Sequence, residues 1–318
     1  MKKLISAVVP CYNEEESLPL FYKRICSVAE TLPETDFEFV FVDDGSRDGT
    51  LRILRDLAKE DARVRYLSFS RNFGKEAGML AGLEHAKGDY VAVLDADLQD
   101  PPEYFVEMFR ILETGEYDCV NLYRTDRKGE GRIRSLFSDA FYKIYRKLTK
   151  IDVRSGARDF RLMTRQVVDC VLSMPEYNRF TKGIFSWVGF RTKWIGYENV
   201  ARAAGETKFS FRSLLKYSIN GITSFSTAPL LLASGLGVLC CAVSILLALF
   251  YLLKTLFFGD PVAGFPTLVC LVLFIGGIQL LCIGILGSYV ATTYMETKRR
   301  PQYFIRESSE DEEQYAAA

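Results

Sequence analysis

The chain has 318 residues, enough for one large domain or two small ones, with 40 lysines and arginines set against 40 aspartates and glutamates. That balance removes the global positive field on which nucleic-acid binding depends, so no nucleic-acid partner is expected. The eight cysteines show neither metal-ligand nor Cys-x-x-Cys spacing, and Cys240, Cys241, Cys270 and Cys282 lie in apolar runs, which reads as small buried hydrophobes in a reducing compartment.

Met1-Lys2-Lys3 leads straight into an apolar run and lacks the length and cleavage site of a signal peptide, so any catalytic part is expected in the cytoplasm. Leu4 to Pro10 reads as a first strand. Asn13 is placed to cap a helix that begins in Glu14-Glu15-Glu16 and runs to about Leu32. Phe37 to Val42 is a second buried strand, closed by the turn-forming Asp43-Asp44-Gly45-Ser46-Arg47-Asp48-Gly49-Thr50. A helix at 51–60, a strand at 63–69 and a helix at 75–86 follow, and Gly88-Asp89 turns the chain into Val91-Ala92-Val93-Leu94. That run stops at Asp95, Asp97 and Gln99, and Pro101-Pro102 forbids further pairing. The β-α-β-α alternation predicts an α/β fold with a mostly parallel sheet covered on both faces.

After a helix at about 102–113 and a strand from Asp118 to Tyr123, the segment from Arg124 to Arg165 is strongly basic. Phe137, Phe141, Tyr142 and Tyr145 recur in it at helical spacing, which suits either a solvated helix face or a surface that meets anionic headgroups or a lipid phosphate. Phe209 to Phe225 reads as an amphipathic juxtamembrane stretch. Two apolar stretches, about 228–253 and about 266–293, each exceed the roughly 20 residues that span a bilayer. Gly259-Asp260-Pro261 separates them with little positive charge nearby, whereas Lys298-Arg299-Arg300 follows the second, which puts both termini in the cytoplasm. Gly276-Gly277, Gly284 and Gly287 suit close helix packing, so a homo-oligomer is expected. The acidic stretch from Glu307 to Ala318 reads as disordered. The expected organisation is thus a cytoplasmic domain at 1–208, a juxtamembrane segment at 209–227, two membrane spans within 228–296 and a cytoplasmic tail at 297–318.

Glu14, Asp44 and the Asp95/Asp97 pair each follow a strand, so three acidic strand ends converge on the carboxyl edge of the sheet, where α/β folds bind ligands. Asp97 and Gln99 offer hard oxygens that suit Mg²⁺ or Mn²⁺ bridging to a substrate's phosphates, the alternative being a plain acidic turn. With no Gly-x-Gly-x-x-Gly and no P-loop lysine, neither a dinucleotide fingerprint nor a Walker site explains the sheet.

Val9-Pro10-Cys11-Tyr12-Asn13-Glu14-Glu15, the Val42–Thr50 turn, Arg71-Asn72-Phe73-Gly74-Lys75 and Asp95-Ala96-Asp97-Leu98-Gln99-Asp100-Pro101-Pro102 together resemble family 2 glycosyltransferases of the GT-A fold. Within that family the chain looks most like the polyprenyl-phosphate hexosyltransferases, whose bacterial branch also carries two C-terminal membrane helices. The resemblance implies an inverting transfer of a hexose, glucose from UDP-glucose or mannose from GDP-mannose, onto a polyprenyl phosphate at the membrane. It implies that Pro10, Tyr12, Glu14, Val42 and Asp44 hold the nucleoside, with strand-end packing as the alternative for Pro10 and Tyr12. Asp95 and Ala96 match donor contacts, Asp97 and Gln99 match the metal ligands, and Arg124 matches a phosphate-binding arginine. Arg202 and Lys208 match a loop that closes over the donor diphosphate, to which Gly205 gives backbone freedom.

Ser155 to Met163 resembles the acceptor-side motif, with Asp159 where inverting enzymes hold a catalytic base. A lipid monophosphate, with a second pKa of about 6, is already a dianionic nucleophile at neutral pH, so Asp159 stands equally as a base or as an orienting group for Arg158 or the sugar. Arg134, Arg154 and Arg158 are the candidates for the acceptor phosphate, against a plain surface-charge role. His85, the one histidine, reads as structural, and Trp187 and Trp194 suit either the sugar and lipid side or interfacial anchoring. A processive polysaccharide synthase would carry Gln-x-x-Arg-Trp, which is missing from the sequence. A non-catalytic membrane partner that keeps the fold is the other alternative.

Overall fold

The computed structural model describes residues 2–125, 145, 147–149, 154, 156–198, 222–258 and 264–310. The chain divides into two compact units, one of Met1–Ser218 with Arg300–Ala318 and one of Ile219–Arg299.

In the first unit the apolar runs pair as a sheet because both of their faces find helices. Strands β1 (Lys3–Cys11), β2 (Thr35–Asp43), β3 (Val64–Phe69) and β4 (Tyr90–Val93) alternate with helices α1 (Leu18–Glu30), α2 (Thr50–Glu60) and α3 (Lys75–His85). Helix α4 (Tyr104–Glu113), strands β5 (Cys119–Arg124) and β6 (Ala157–Thr164), helices α5 (Arg165–Leu172) and α6 (Thr181–Trp187) and strand β7 (Thr192–Tyr197) follow. The last strand, β8 (Ile305–Ser308), comes from the far end of the chain. The spatial order is β7-β5-β6-β4-β1-β2-β3-β8. Strand β1 is parallel to β2 and β4, β2 to β3, and β5 to β7, while β6 and β8 run antiparallel to their neighbours.

Alternation with period two sorts the side chains of β1. Ile5, Ala7 and Val9 join the main core beneath α1, α2 and α4, with Phe21, Leu54, Phe105 and Phe109. On the other face Val42 and Phe69 pack with Ala77 and Ala81 of α3. Because both faces are covered, Ile5–Val9 and Phe39–Val42 are buried without a break, the pattern of a parallel sheet. Each fully buried aliphatic or aromatic side chain here contributes about 1.5–3 kcal/mol.

The sequence expectations hold for the order of elements and fail at two places. Helix α1 begins at Leu18, and Asn13 does not cap it: Asn13 sits at φ 53°, and its Oδ1 accepts the Arg47 amide at 2.9 Å. The acids from Glu14 to Glu16 therefore build the β1–α1 connection rather than a first helical turn. The second failure is the start of the acidic tail, 307–310, whereas 311–318 lie outside the described residues. Ile305–Ser308 pairs antiparallel with the outer edge of β3. Glu307 takes a two-pronged ion pair from Arg55, at 2.6 Å for both contacts, and the Tyr66 hydroxyl at 2.8 Å. Glu310 accepts from Arg65 and Lys87. Acids that read as solvated in sequence are ordered by cations more than 200 residues away.

The second unit holds two long helices, α7 (Ala228–Phe258) and α8 (Phe265–Thr297). Ala228–Leu247 and Phe274–Thr297 are long and apolar enough to cross a membrane, with mean hydropathy 2.5 and 1.9. Leu231, Val238, Phe250, Leu280 and Val290 are among the large apolar side chains left exposed along them. Within this unit the Tyr289 hydroxyl donates to the Ser226 carbonyl. The expected turn at Gly259-Asp260-Pro261, most of the 209–227 segment and the core of the basic segment, 126–144, lie outside the described residues.

Candidate functional site

The direction of strand succession reverses at β1, with β2 and β3 on one side and β4 on the other, so the crevice beyond the carboxyl ends of β1 and β4 is a topological switch point. Strand β5 also ends at this edge, and β6 begins there because it runs the other way, with Tyr123 opposite Ala157. Arg124 pairs with Tyr197 at the end of β7. Residues scattered from Tyr12 to Tyr197 are thereby brought to one edge.

Two linked polar clusters form there. In the first, the Lys75 ammonium lies 2.5 Å from Asp95 Oδ1 and also pairs with the Asp159 carboxylate, which Lys182 approaches at 3.6 Å. Lys75 opens α3, where the helix dipole disfavours a cation, and Gly74 before it adopts φ 100°, which a side chain would strain. Burial opposes the charge on Lys75, but Asp159 and Asp95 outweigh it and hold the ammonium above its usual range. Burial likewise opposes the charge on Asp159, yet Lys182 and Lys75 hold its carboxyl well below the usual carboxylate range.

The second cluster surrounds Gln99. Its Oε1 accepts from Arg124 at 3.1 Å and from Arg158 at 3.4 Å. The Asp100 carboxylate, only 3% exposed, accepts the Arg158 Nε–H at 2.8 Å and the Tyr197 hydroxyl. Arg124 also donates to the Tyr197 oxygen at 3.4 Å. Asp97 Oδ1 accepts the Gln99 amide at 3.1 Å across Leu98, a buried apolar residue held at φ 56°. A left-handed leucine costs about 1–2 kcal/mol, strain of the kind that gathers at functional turns.

The nucleoside-side candidates are distributed differently. Asp44 is buried, and its carboxylate accepts the amides of Phe73 at 2.6 Å and Gly74 at 2.9 Å. Burial pushes its carboxyl up to about 6, assisted by Asp43 and opposed by those two amides and Arg71. Glu14 accepts the Ser17 hydroxyl at 2.6 Å. Pro10 pairs with Val42 across β1 and β2. The Val42 side chain is 0% exposed and belongs to the core under α3, and Ala96 is also buried, whereas Tyr12 is half-exposed in the β1–α1 connection. Arg154 stacks its guanidinium 3.8 Å over the Tyr123 ring, with Trp194 beyond. Arg134, Arg202 and Lys208 lie outside the described residues.

Among the described residues no three His, Cys, Asp or Glu side chains enclose a metal position. The oxygens of Asp97 and Gln99 are hard donors of the kind a divalent cation takes, and any further ligands would have to come from outside this set. Gln99 Oε1 is engaged by two guanidinium groups, so a cation there displaces at least one of those hydrogen bonds.

Sequence reasoning passed over Lys75, Asp100, Lys182 and Tyr197 as site residues. Lys75 alone carried a local signal, a cation on the unfavourable first turn of a helix that only carboxylates reward.

The model of "Glycosyl transferase family 2" matches residues 6–172. The chain is 43% identical over 302 residues to the prophage bactoprenol glucosyl transferase homolog of Escherichia coli (strain K12), covering 95% of this chain and 98% of that one. It is 43% identical over 304 residues to the SfII prophage-derived bactoprenol glucosyl transferase of Shigella flexneri, covering 96% and 98%. Among solved structures, glucosyl-3-phosphoglycerate synthase from Mycobacterium tuberculosis is 21% identical, with a TM-score of 0.45 over 70% of this chain and 78% of that one.

Proposed function

The chain belongs to glycosyl transferase family 2, and on that premise we propose that it transfers glucose from UDP-glucose to a polyprenyl phosphate at the cytoplasmic face of a membrane. One observation carries this reading: Gln99, whose amide is held by Asp97, accepts from Arg124 and Arg158 at the switch-point edge, beside the Asp95–Lys75 pair. Hard oxygens beside guanidinium groups suit a diphosphate bridged by a divalent cation.

Asp97 and Gln99 would hold Mg²⁺ or Mn²⁺, which when bound supplies charge neutralisation for the departing diphosphate. Arg124 is free to exchange Gln99 for a diphosphate oxygen at small cost, because both are hydrogen-bond acceptors. Asp44 holds the Phe73–Gly74 turn, and with Tyr12 and Glu14 it frames the nucleoside side of the crevice. The acceptor phosphate oxygen forms a bond to the anomeric carbon while the bond to the diphosphate oxygen breaks, and its electron pair leaves with the diphosphate. A dianionic phosphate has no proton to surrender, so the step needs no general base. Asp159, tied to two lysines that lower its basicity, serves as the positioning group for Lys75. Arg158 and Arg154 sit on the acceptor side of this arrangement, Arg158 tied to Asp100 and Arg154 to its aromatic platform.

The two apolar helices would anchor the unit where a water-insoluble acceptor is concentrated. The chain leaves the first unit before α7 and rejoins it after α8, so a pair of crossings would begin and end on the same side. Lys298-Arg299-Arg300 makes that side the cytoplasm. The testing experiment offers the purified protein a panel of UDP- and GDP-sugars with polyprenyl phosphate, with and without EDTA, and follows labelled sugar into lipid. EDTA-sensitive transfer from UDP-glucose is expected. Transfer from GDP-mannose alone would change the donor, and nucleotide binding with no lipid product would favour a binding role.

A further inference from the structure

The segment that follows α8 does more than close a sheet edge. Tyr303 stacks on Phe69 at 4.9 Å between ring centroids, and Phe69 meets Phe73 edge-on at 5.8 Å. Phe304 packs against Phe73 in a tilted contact at 6.2 Å, and its carbonyl accepts the Ser70 amide at 2.9 Å. These ring contacts and that hydrogen bond tie the chain from Phe69 to Phe73 to Tyr303 and Phe304. Tyr303 is fixed in turn by its hydroxyl on Glu84 of α3, and Arg71 covers the Phe73 ring at 3.9 Å.

The turn thus clamped reaches into the candidate site through three consecutive residues. The Phe73 and Gly74 amides hold the Asp44 carboxylate, and Lys75 joins Asp95 to Asp159. Strand β8 is secured separately by the Glu307–Arg55 pair on α2, so removing one ring from the clamp leaves the strand attached.

We propose that Tyr303 and Phe304 are positioning residues for the nucleotide-sugar site, acting through the Phe73–Lys75 turn. The inference rests on the donor-site reading given above. With the clamp open, the turn loses its fixed relation to Asp44 and Asp95, and donor binding suffers, while Arg158 and Arg154 on the acceptor side keep their own partners, Asp100 and Tyr123. Misplacing binding groups by about 1 Å costs up to about a hundredfold, and a loosened turn is expected near the lower part of that range, about tenfold.

The test uses the full chain in detergent with UDP-glucose and polyprenyl phosphate. Phe304→Ala and Tyr303→Ala are expected to raise the KM for UDP-glucose and the dissociation constant for UDP about tenfold, with the KM for the lipid unchanged. Phe304→Tyr, which keeps the ring, is expected to restore the parental values. Because exposed Phe304 contributes little to the core, its alanine variant should keep the parental thermal midpoint. A donor KM unchanged in Phe304→Ala overturns the inference, as does a loss that Phe304→Tyr fails to rescue. If Phe304→Ala unfolds, an unchanged donor KM in Tyr303→Ala overturns the inference and a tenfold rise upholds it. Parental protein that binds no nucleotide overturns both readings, whereas parental binding with unaltered variants overturns this one alone.

Discussion

The two ends of the same sheet handle charge in opposite ways. At the amino-terminal half of the strands, buried Glu38 accepts the Ser6 hydroxyl at 2.5 Å, the Lys87 amide at 2.5 Å and Arg65 at 3.0 Å. Gly88 donates its amide to Ser6, and Arg165 donates to the carbonyls of Ala86 and Gly88. Much of this network ends on main-chain groups whose positions the sheet already fixes. At the carboxyl end, Lys75, Asp95, Asp159 and Lys182, and likewise Gln99, Arg124, Arg158 and Asp100, hold one another side chain to side chain. Asp44 apart, which holds the Phe73 and Gly74 amides, the charges at the carboxyl end are tied chiefly to other side chains and can be re-partnered by a charged ligand.

The largest expected effect separates the two ends outright. Asp97→Ala should lower sugar transfer by about a thousandfold or more, as for loss of a group that stabilises departing charge, with the thermal midpoint little moved. Wild-type turnover in that variant would erase the distinction. The mirror experiment is Glu38→Ala, which takes the acceptor from the Ser6 hydroxyl and the Lys87 amide and one partner from Arg65, and should cost about 3 kcal/mol of stability by denaturant titration. Its KM for donor, measured well below the midpoint, should not change, and a change would mean that the amino-terminal network also shapes the site.

Asp159→Asn sharpens the picture within the carboxyl end. A positioning role predicts about a tenfold fall in kcat with the shape of the pH–rate profile kept, against the hundredfold or more that loss of a general base brings. Loss of the acid limb of that profile would make Asp159 a base after all. The smallest effect is a slope. Asp44 is raised from 3.8 to about 6 in the folded chain, so it binds its proton more tightly when folded. Its contribution to stability is therefore fully present below about pH 3.8 and is lost as pH rises through about 6. Asp44→Asn should remove that part of the stability slope between pH 4 and 6, read from denaturation midpoints at each pH. An unaltered slope would reassign it to another group.

Much of this was legible before any coordinates. The alternation of apolar runs with amphipathic helices gave the parallel sheet, and acids after three strands marked the edge where ligands bind. The arrival of Arg158 and Asp159 at that edge was not derivable from spacing, because it depends on β6 running antiparallel between β4 and β5. Only the resemblance pointed to them. Asp100 and Tyr197 stayed hidden for the same reason, since their bond joins residues 97 positions apart. Glu307 and Glu310 misled in the reverse direction. Local composition reports the charge of a segment but not the distant Arg55, Arg65 and Lys87 that neutralise it.

Strand β8 also imposes an order of events on the making of the protein. During synthesis from the amino terminus, β3 exists long before its outer neighbour, and everything from the first apolar helix to the end of the second is made in between. The Arg55–Glu307 pair closes a loop of 252 residues, among the slowest kinds of contact to form. Until then β3 presents an open edge, with unpaired amides and carbonyls able to recruit a stray strand. Completion of the sheet thus reports that the chain has been made through both apolar helices. A copy truncated before β8 would keep that edge exposed, marked by the defect for chaperones and proteases.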